Sequence, residues 1–278
     1  TTVSDNTYTG YQSGQVAGSQ NAAFGSRALS QAFAAVSDSV GVGYAAGSTN
    51  TASNVVFVGK EAGKANTSAG SVSIGYNAGF SNTSGSNNTN LGYQAGYTST
   101  TGAFRTMLGY QAGYLQTGGA NTFIGSLSGG SRSGAGTGNT GVGTNSLRYV
   151  ENSNNTALGN QAGQYADSTS TNNVMVGVDV MGGAFGSKSN NVGVGFEATK
   201  ALTTGSNNVA IGYQALLVQT DGEKNVAIGA GALMASTSEG RNTAVGFEAL
   251  KAMNQLFNPH NTAVGYQADA TATDSFYR

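Results

Sequence analysis

Residues able to do catalytic or metal chemistry are sparse in this chain. It has one histidine, His260, next to its one proline, Pro259, and it has no cysteine. A lone histidine supports neither a histidine-rich metal cluster nor a catalytic triad, and without cysteine there is no disulfide, zinc thiolate or thiol nucleophile. We therefore expect no catalytic residue, no metal site and no cofactor, and we place His260 in a loop or terminal cap.

Glutamate recurs at one place in a repeated sequence unit. Glu61, Glu197 and Glu248 stand two residues after a repeated glycine, and glutamine stands there in six other units. A catalytic acid or base needs its carboxylate, so this exchange of Glu and Gln indicates a solvated surface. Glycine pairs such as Gly229 and Gly231 are not followed by the helical periodicity of a phosphate-binding loop. The sequence predicts a protein that is not an enzyme.

The unit that positions these residues is short, and its best example is Asn-Thr-Ala-Val-Gly-Tyr-Gln-Ala at Asn261 to Ala268. Its glycine occurs sixteen times at nearly even spacing. So short a period is typical of a solenoid, in which each repeat is one coil stacked on the next. We number positions from this glycine as 0, and the sixteen are Gly10, Gly25, Gly43, Gly59, Gly75, Gly92, Gly109, Gly125, Gly143, Gly159, Gly177, Gly195, Gly212, Gly229, Gly246 and Gly265.

A short strand is predicted just before each glycine. Position −3 is always Val, Thr or Ala, and position −1 is Val, Ile or Leu in fourteen units. Residues two apart share one face of a strand, and β-branched types suit a buried pleated surface. We therefore expect positions −3 and −1, such as Val209 and Ile211, to form the core. Position +3, which is Ala in twelve units, is expected to pack closely against them.

Asparagine occupies position −4 in twelve units. Stacked at about 4.8 Å per coil, its amides can hydrogen-bond along the axis, as in cross-β stacks. We predict a structural Asn ladder rather than a ligand site, with its clearest members at Asn121, Asn139, Asn155, Asn173, Asn191, Asn208, Asn225 and Asn242. Glycosylation sequons at Asn66, Asn82, Asn87 and Asn154 fall in segments expected to be loops.

Association of several chains is expected because the coil is poor in large side chains and has no Trp. Position −2 and the aromatic residues at position +1 are the predicted lateral surface. Position +4 is Gly in eight units and usually Leu in the others, and we expect this change to mark a different cross-section or subunit contact. The predicted surface-binding residues are Tyr93, Tyr110, Tyr213, Gln94, Gln111 and Gln214.

Charge and hydropathy exclude two classes of partner. Twelve Lys and Arg against thirteen Asp and Glu give no basic footprint for nucleic acid. No stretch approaches the roughly 20 apolar residues that span a bilayer, so direct membrane insertion is not expected.

Two known groups of repeats resemble this sequence. Asn-Val-Ala-Ile-Gly at Asn208 to Gly212 and at Asn225 to Gly229, followed by Ala215 and Ala232, resembles the head repeats of YadA-type trimeric autotransporter adhesins. The Asn-Thr-Ala-Val-Gly-Tyr-Gln-Ala unit is similar to repeats of bacteriophage tail fibres. This resemblance covers nearly the whole chain, and it implies a left-handed parallel β-roll of three chains side by side that projects from a virion or cell to touch a host surface. The chain lacks the stalk heptads and membrane anchor of the adhesins, and the phage-fibre repeats match its period better.

These observations predict an all-β, parallel β-solenoid of about 16 coils, with a repeat of roughly 17 residues, as a side-by-side homotrimer. We expect one solenoid domain over residues 1–278, with a C-terminal tail at 270–278. The predicted function is a non-enzymatic extracellular fibre segment, on a virion or bacterial surface, that acts as a rigid spacer and binds a surface glycan or host receptor. The alternative is a self-assembling filament without a receptor. An ice-binding solenoid is disfavoured, because Thr at position −3 is expected in the core and Thr-x-Thr does not recur at a fixed position.

Overall fold

The computed structural model describes residues 5–30, 35–166, 169–183, 186–252 and 260–271. Its contacts divide the chain into two compact units, Thr1–Gly138 and Asn139–Arg278. Within the described residues each unit contains eight strands of three residues, and successive strands are separated by one repeat of the sequence. Most of the predicted tail, residues 272–278, lies outside the described residues.

In the first unit every strand pairs in parallel with the next one along the chain. The pairing is in direct register, so equivalent positions of successive coils face each other, as in Val56 with Val72. These strands are β1 (Thr7–Thr9), β2 (Ala22–Phe24), β3 (Val40–Val42), β4 (Val56–Val58), β5 (Val72–Ile74), β6 (Thr89–Leu91), β7 (Thr106–Leu108) and β8 (Thr122–Ile124).

The second unit repeats this arrangement, with parallel pairing in direct register throughout. The prediction of an all-β, parallel β-solenoid is confirmed. Its strands are β9 (Thr140–Val142), β10 (Thr156–Leu158), β11 (Val174–Val176), β12 (Val192–Val194), β13 (Val209–Ile211), β14 (Val226–Ile228), β15 (Thr243–Val245) and β16 (Thr262–Val264).

The face of each strand that is buried is the opposite of the one predicted. Position −2 is buried in fifteen of the sixteen strands, whereas positions −3 and −1 are half-buried or exposed. In β13, Ala210 is fully buried, while Ile211 is 39% exposed. The placement of Val209 and Ile211 in the core is therefore wrong, and position −2 is not a lateral surface. Val and Ile favour an extended backbone on either face of a strand, so their presence did not indicate burial.

Positions −2 and +4 fill the interior together. Phe57 at position −2 is fully buried, and a Cβ added at Gly63, position +4 of the same coil, would overlap its ring. Where position +4 is Leu, position −2 is small: Ala210 precedes Leu216, and Ala227 precedes Leu233. These leucines are fully buried. In these coils a change of size at position +4 is offset at position −2, so the leucines mark a different filling of the interior, and they lie in the core rather than at an exposed subunit contact.

The repeated glycine is required by the backbone. In all sixteen coils its φ lies between +120° and +140°, a region that side chains bearing a Cβ avoid. A Cβ on Gly212 would also lie 2.5 Å from the carbonyl oxygen of Gly229 in the next coil. Backbones of successive coils therefore approach closely at position 0, and this explains the constancy of the glycine.

Candidate attachment surface

The asparagines of the predicted ladder are all buried, and those of the second unit form a hydrogen-bonded column inside the solenoid. Asn208 is typical: its backbone N–H and its Nδ2 both donate to Oδ1 of Asn191, at 2.9 and 3.2 Å. Its Nδ2 also donates to the Gly222 carbonyl at 2.9 Å, and its Oδ1 accepts from the backbone N–H of Asn225 at 2.9 Å. The column runs through the second unit as Asn139, Asn155, Asn173, Asn191, Asn208, Asn225, Asn242 and Asn261. In the first unit Asn121 is fully buried and donates to the carbonyl of Gly136 at 2.7 Å.

Arg105 replaces asparagine at position −4 in one coil of the first unit. Its side chain is buried, and its backbone N–H and Nε both donate to Oδ1 of Asn88, at 3.0 and 3.2 Å. Burial lowers the pKa of this guanidinium to about 10, which leaves it charged at neutral pH. The arginine thus continues the polar column rather than presenting a charge at the surface.

A second polar column was missed by the sequence analysis. Asn66 donates from Nδ2 to Oδ1 of Asn50 at 2.9 Å, and Asn82 donates in the same way to Asn66 at 2.6 Å. Asn66 and Asn82 lie in loops, as predicted, but both are almost fully buried, so their amides are not accessible to glycosylation in the folded chain. The recurrence of asparagine once per coil, at Asn50, Asn66 and Asn82, was the available signal.

The predicted tyrosines lie on the surface and stack along the coils. In the first unit the Tyr93 ring lies 5.2 Å from Tyr76 and 5.3 Å from Tyr110, with nearly parallel planes. Tyr93 is 44% and Tyr110 50% exposed. Beside them, Gln111 donates from Nε2 to Oε1 of Gln94 at 2.9 Å. The direct register of the coils therefore produces a row of aromatic rings next to a row of amides.

A further aromatic row lies at position +5. Phe80 and Tyr97 stack at 5.1 Å, and Tyr97 and Tyr114 at 5.2 Å, all three half-buried. The ammonium of Lys64 lies 5.2 Å from the Phe80 ring and continues the row. This row was not predicted, although its members recur once in each of three successive coils. We call positions +1, +2 and +5 together the aromatic face.

In the second unit, glutamates at position +2 of the aromatic face form ion pairs with lysines at position +5. Lys200 donates to Glu197 Oε1 at 2.6 Å, and Gln214 donates from Nε2 to Glu197 Oε2 at 2.8 Å. These bonds, that from Lys200 first, lower the pKa of Glu197. Lys251 and then Gln267 lower the pKa of Glu248 in the same way. Both carboxylates are therefore ionised members of surface pairs at neutral pH.

Tyr213, the third predicted tyrosine, is 55% exposed and stacks on Phe196 at 5.7 Å. Phe247 and Tyr266 form another stacked pair at 5.4 Å. The aromatic face is thus present in both units, and it brings together the predicted residues of each unit: Tyr93, Tyr110, Gln94 and Gln111 in the first, Tyr213 and Gln214 in the second.

His260 lies at the surface, and its Nε2 is 3.3 Å from Nη1 of Arg241. Within the described part of the chain, no three His, Asp or Glu side chains are grouped so that they could hold a metal ion. The same residues include no helix with the length and hydrophobicity needed to cross a bilayer.

One reason for disfavouring ice binding is overturned. Thr at position −3, as in Thr89, Thr106 and Thr122, lies on the outer face of its strand and not in the core. The other reason holds, because position −1 in these strands is Leu or Ile, and among the strands that the structure describes only β1 has Thr at both outward positions.

Comparisons with protein-family models, with curated proteins and with solved structures find no match for this chain. The fold and the surface themselves define its class, which is a parallel β-solenoid with short coils, internal asparagine columns and an aromatic face.

Proposed function

We propose that the chain is a non-enzymatic extracellular fibre segment, from a virion fibre or a bacterial surface, that attaches to surface glycans through its aromatic face. The observation that carries this proposal is the row of exposed, stacked tyrosines beside the hydrogen-bonded glutamines. Exposed aromatic rings offer flat apolar area at low entropic cost, and the neighbouring amides can both donate and accept hydrogen bonds. A sugar presents apolar C–H faces and hydroxyl groups, which match these two rows.

The role of spacer is supported by the hydrogen bonds between coils. Around Gly212, for example, its N–H donates to Val194 at 2.8 Å, that of Gln214 to Phe196 at 2.9 Å, and that of Leu216 to Ala232 at 3.0 Å. Each coil is thereby bonded to both of its neighbours at several points. Within each unit such a stack resists bending, which suits a segment that holds a binding surface away from its anchor.

A homotrimer remains part of the proposal, with a corrected interface. Position −1 forms rows of outward-facing aliphatic side chains in each unit, and its exposed members include Leu91, Leu108, Leu158, Ile211 and Ile228. Continuous apolar rows of this kind are typical of interaction surfaces. We propose that the outer faces of the strands, rather than position −2, bring three chains together side by side.

The attachment function is tested by binding to a glycan array. Removal of two stacked rings in the variant Tyr93→Ala/Tyr110→Ala should weaken glycan binding by about tenfold or more, since stacked contacts of this kind contribute about 0.5–1.5 kcal/mol each. The matched control is Tyr149→Ala/Tyr165→Ala, which removes another pair of stacked rings, 5.2 Å apart at position +6. It should change binding less than twofold.

Equal loss of binding in the two variants, or none in either, would remove the aromatic face from the proposal. Electron microscopy of the same preparations separates the proposal from the filament alternative. Discrete particles agree with a fibre segment, whereas continuous filaments that bind no glycan agree with a self-assembling structural protein.

A further inference from the structure

Between Phe196 and Tyr266, the aromatic row of the second unit lacks one ring. Phe196 and Tyr213 form one stacked pair and Phe247 and Tyr266 another, and at position +1 of the coil between them stands Ala230. A cavity of about 250 Å³ occupies this place, lined by Tyr213, Ala230 and Phe247. It is smaller than the roughly 300–1,000 Å³ of drug-sized sites. Stacked rings in neighbouring coils lie 5.4 to 5.7 Å apart here, so the gap of one coil has room for one six-membered ring.

The floor of this gap is open because of a second sequence change in the same coil. Position +2, which is Gln214 in the coil before and Glu248 in the coil after, is here Gly231. The cavity therefore reaches down to Met234 at position +5, a half-buried apolar side chain. We call this cavity the ring slot.

Polar groups line the edges of the ring slot. Gln214, Glu248 and Lys251 all border it. The Gln214 amide is oriented by its bond to Glu197 Oε2 at 2.8 Å, and the Glu248 carboxylate is held by Lys251 and by Gln267, the latter at 2.9 Å. Glu248 and Lys251 form an ion pair, so the rim carries donors and acceptors with no net charge.

A comparable gap in the first unit is filled by the chain itself. Between Tyr44 and Tyr76, position +1 is Lys60, whose ammonium lies 6.0 Å from one ring centroid and 5.6 Å from the other. A cation between two ring faces is a favourable contact, so that gap is occupied. At Ala230 the methyl group is too short to cover either ring, and the two faces stay available to a ligand.

We infer that the ring slot binds one neutral hexopyranose unit of a glycan. The two apolar faces of the sugar ring would contact Tyr213 and Phe247, and its hydroxyl groups would exchange hydrogen bonds with Gln214, Glu248 and Lys251. A planar aromatic ligand would satisfy the two rings but leave the polar rim without partners as it removed water from it, which is costly. This inference rests on the proposed attachment function and assigns that function a specific site and sugar class.

The test uses methyl pyranosides of glucose, galactose and mannose as probes, with indole as the planar aromatic comparison. Binding to the full chain is measured by NMR titration. At least one pyranoside should bind with a dissociation constant on the order of 1 mM, as expected for a ligand of this size. In Ala230→Tyr the new ring would complete the aromatic row and fill the slot, so affinity should fall at least tenfold while the fold is kept.

The matched control is Thr204→Tyr, which adds the same ring at an exposed position of the second unit outside the aromatic face. It should leave pyranoside affinity within twofold of the unchanged chain. Unchanged affinity in Ala230→Tyr, or binding of indole without any pyranoside, would overturn the ring slot as a sugar site. If the glycan array still shows binding that depends on Tyr93 and Tyr110, the proposed function stands without the slot; if neither assay shows sugar binding, both fail.

Discussion

Gly229→Ala is expected to lower the free energy of unfolding by about 4 kcal/mol, through backbone strain and overpacking together. Gly229 has φ +138°, a conformation that alanine does not adopt without strain. The added Cβ would also overlap the backbone of Gly246 in the next coil, with the carbonyl carbon 2.5 Å away. Since both atoms belong to stacked backbones, neither can move without breaking hydrogen bonds between coils. Chemical denaturation followed by circular dichroism measures the effect.

Gly231→Ala in the same coil is the matched control. Gly231 has φ +69°, and the equivalent positions of the neighbouring coils hold Gln214 at +53° and Glu248 at +54°. The added Cβ would lie 3.3 Å from Cγ of Glu248, part of a flexible side chain. We expect a loss of about 1 kcal/mol, the cost of a left-handed residue with a Cβ. Equal effects of the two substitutions would contradict the assignment of position 0 as the point of backbone contact.

Asn208→Ala is expected to destabilise the chain by about 3 kcal/mol, because it leaves several buried groups without partners. The substitution removes the donor to the Gly222 carbonyl and the acceptor of the Asn225 backbone N–H. It also removes the bond from Nδ2 to Asn191. No water reaches these groups, since Asn208 is fully buried. The same denaturation experiment gives the loss.

Asn207→Lys serves as the control for this substitution. Asn207 is the exposed neighbour of Asn208, and Lys224 holds the equivalent position of the next coil with almost the same φ, 61° against 62°. Its effect should lie within about 0.5 kcal/mol of zero, as is usual for such a surface change. A loss for Asn208→Ala no larger than that for the control would show that the asparagine column does not stabilise the solenoid.

The period, the strands and their register could be predicted from sequence because one residue is required in every coil. The glycine at position 0 meets both a positive φ and a close backbone, so it marks the same point of each coil. Once that point is known, the β-branched residues among the three that precede it predict a strand. The ladder of asparagines at position −4 could also be predicted, because stacked coils bring equivalent amides together.

Which face of each strand is buried could not be predicted in the same way. A strand of three residues gives one residue to one face and two to the other, which is too short to show an alternation of apolar and polar residues. Val209 and Ile211 are more hydrophobic than Ala210, yet only Ala210 fits a thin interior that already contains Leu216. The inverse sizes of positions −2 and +4 in several coils, as in Phe57 with Gly63, were a signal of the core that the sequence contained.

The candidate site was partly predictable. Tyrosine at position +1 and glutamine at position +2 were recognised as surface residues because they repeat with the coil. The ring slot depends on an interruption of that repeat, at Ala230 and Gly231 in one coil, and an interruption has meaning only once stacking of Tyr213 and Phe247 across coils is known. The repeat therefore predicts the surface, whereas the ring slot at Ala230 could be recognised only from the structure.

The central claim is that position −2 faces the interior of the solenoid and position −1 faces outward. The most direct test of it is cysteine labelling, because the chain has no cysteine of its own. Single cysteines at Ala210 and at Ile211 can be labelled with a maleimide in the folded chain and, as a control, in denaturant. The structure predicts that Ala210→Cys is protected until the chain unfolds, whereas Ile211→Cys reacts rapidly in the folded single chain and more slowly where the proposed trimer covers the outer strand faces. Rapid labelling of Ala210→Cys together with protection of Ile211→Cys would contradict the structure, because covering of the outer face by other chains could protect residue 211 but would not expose residue 210.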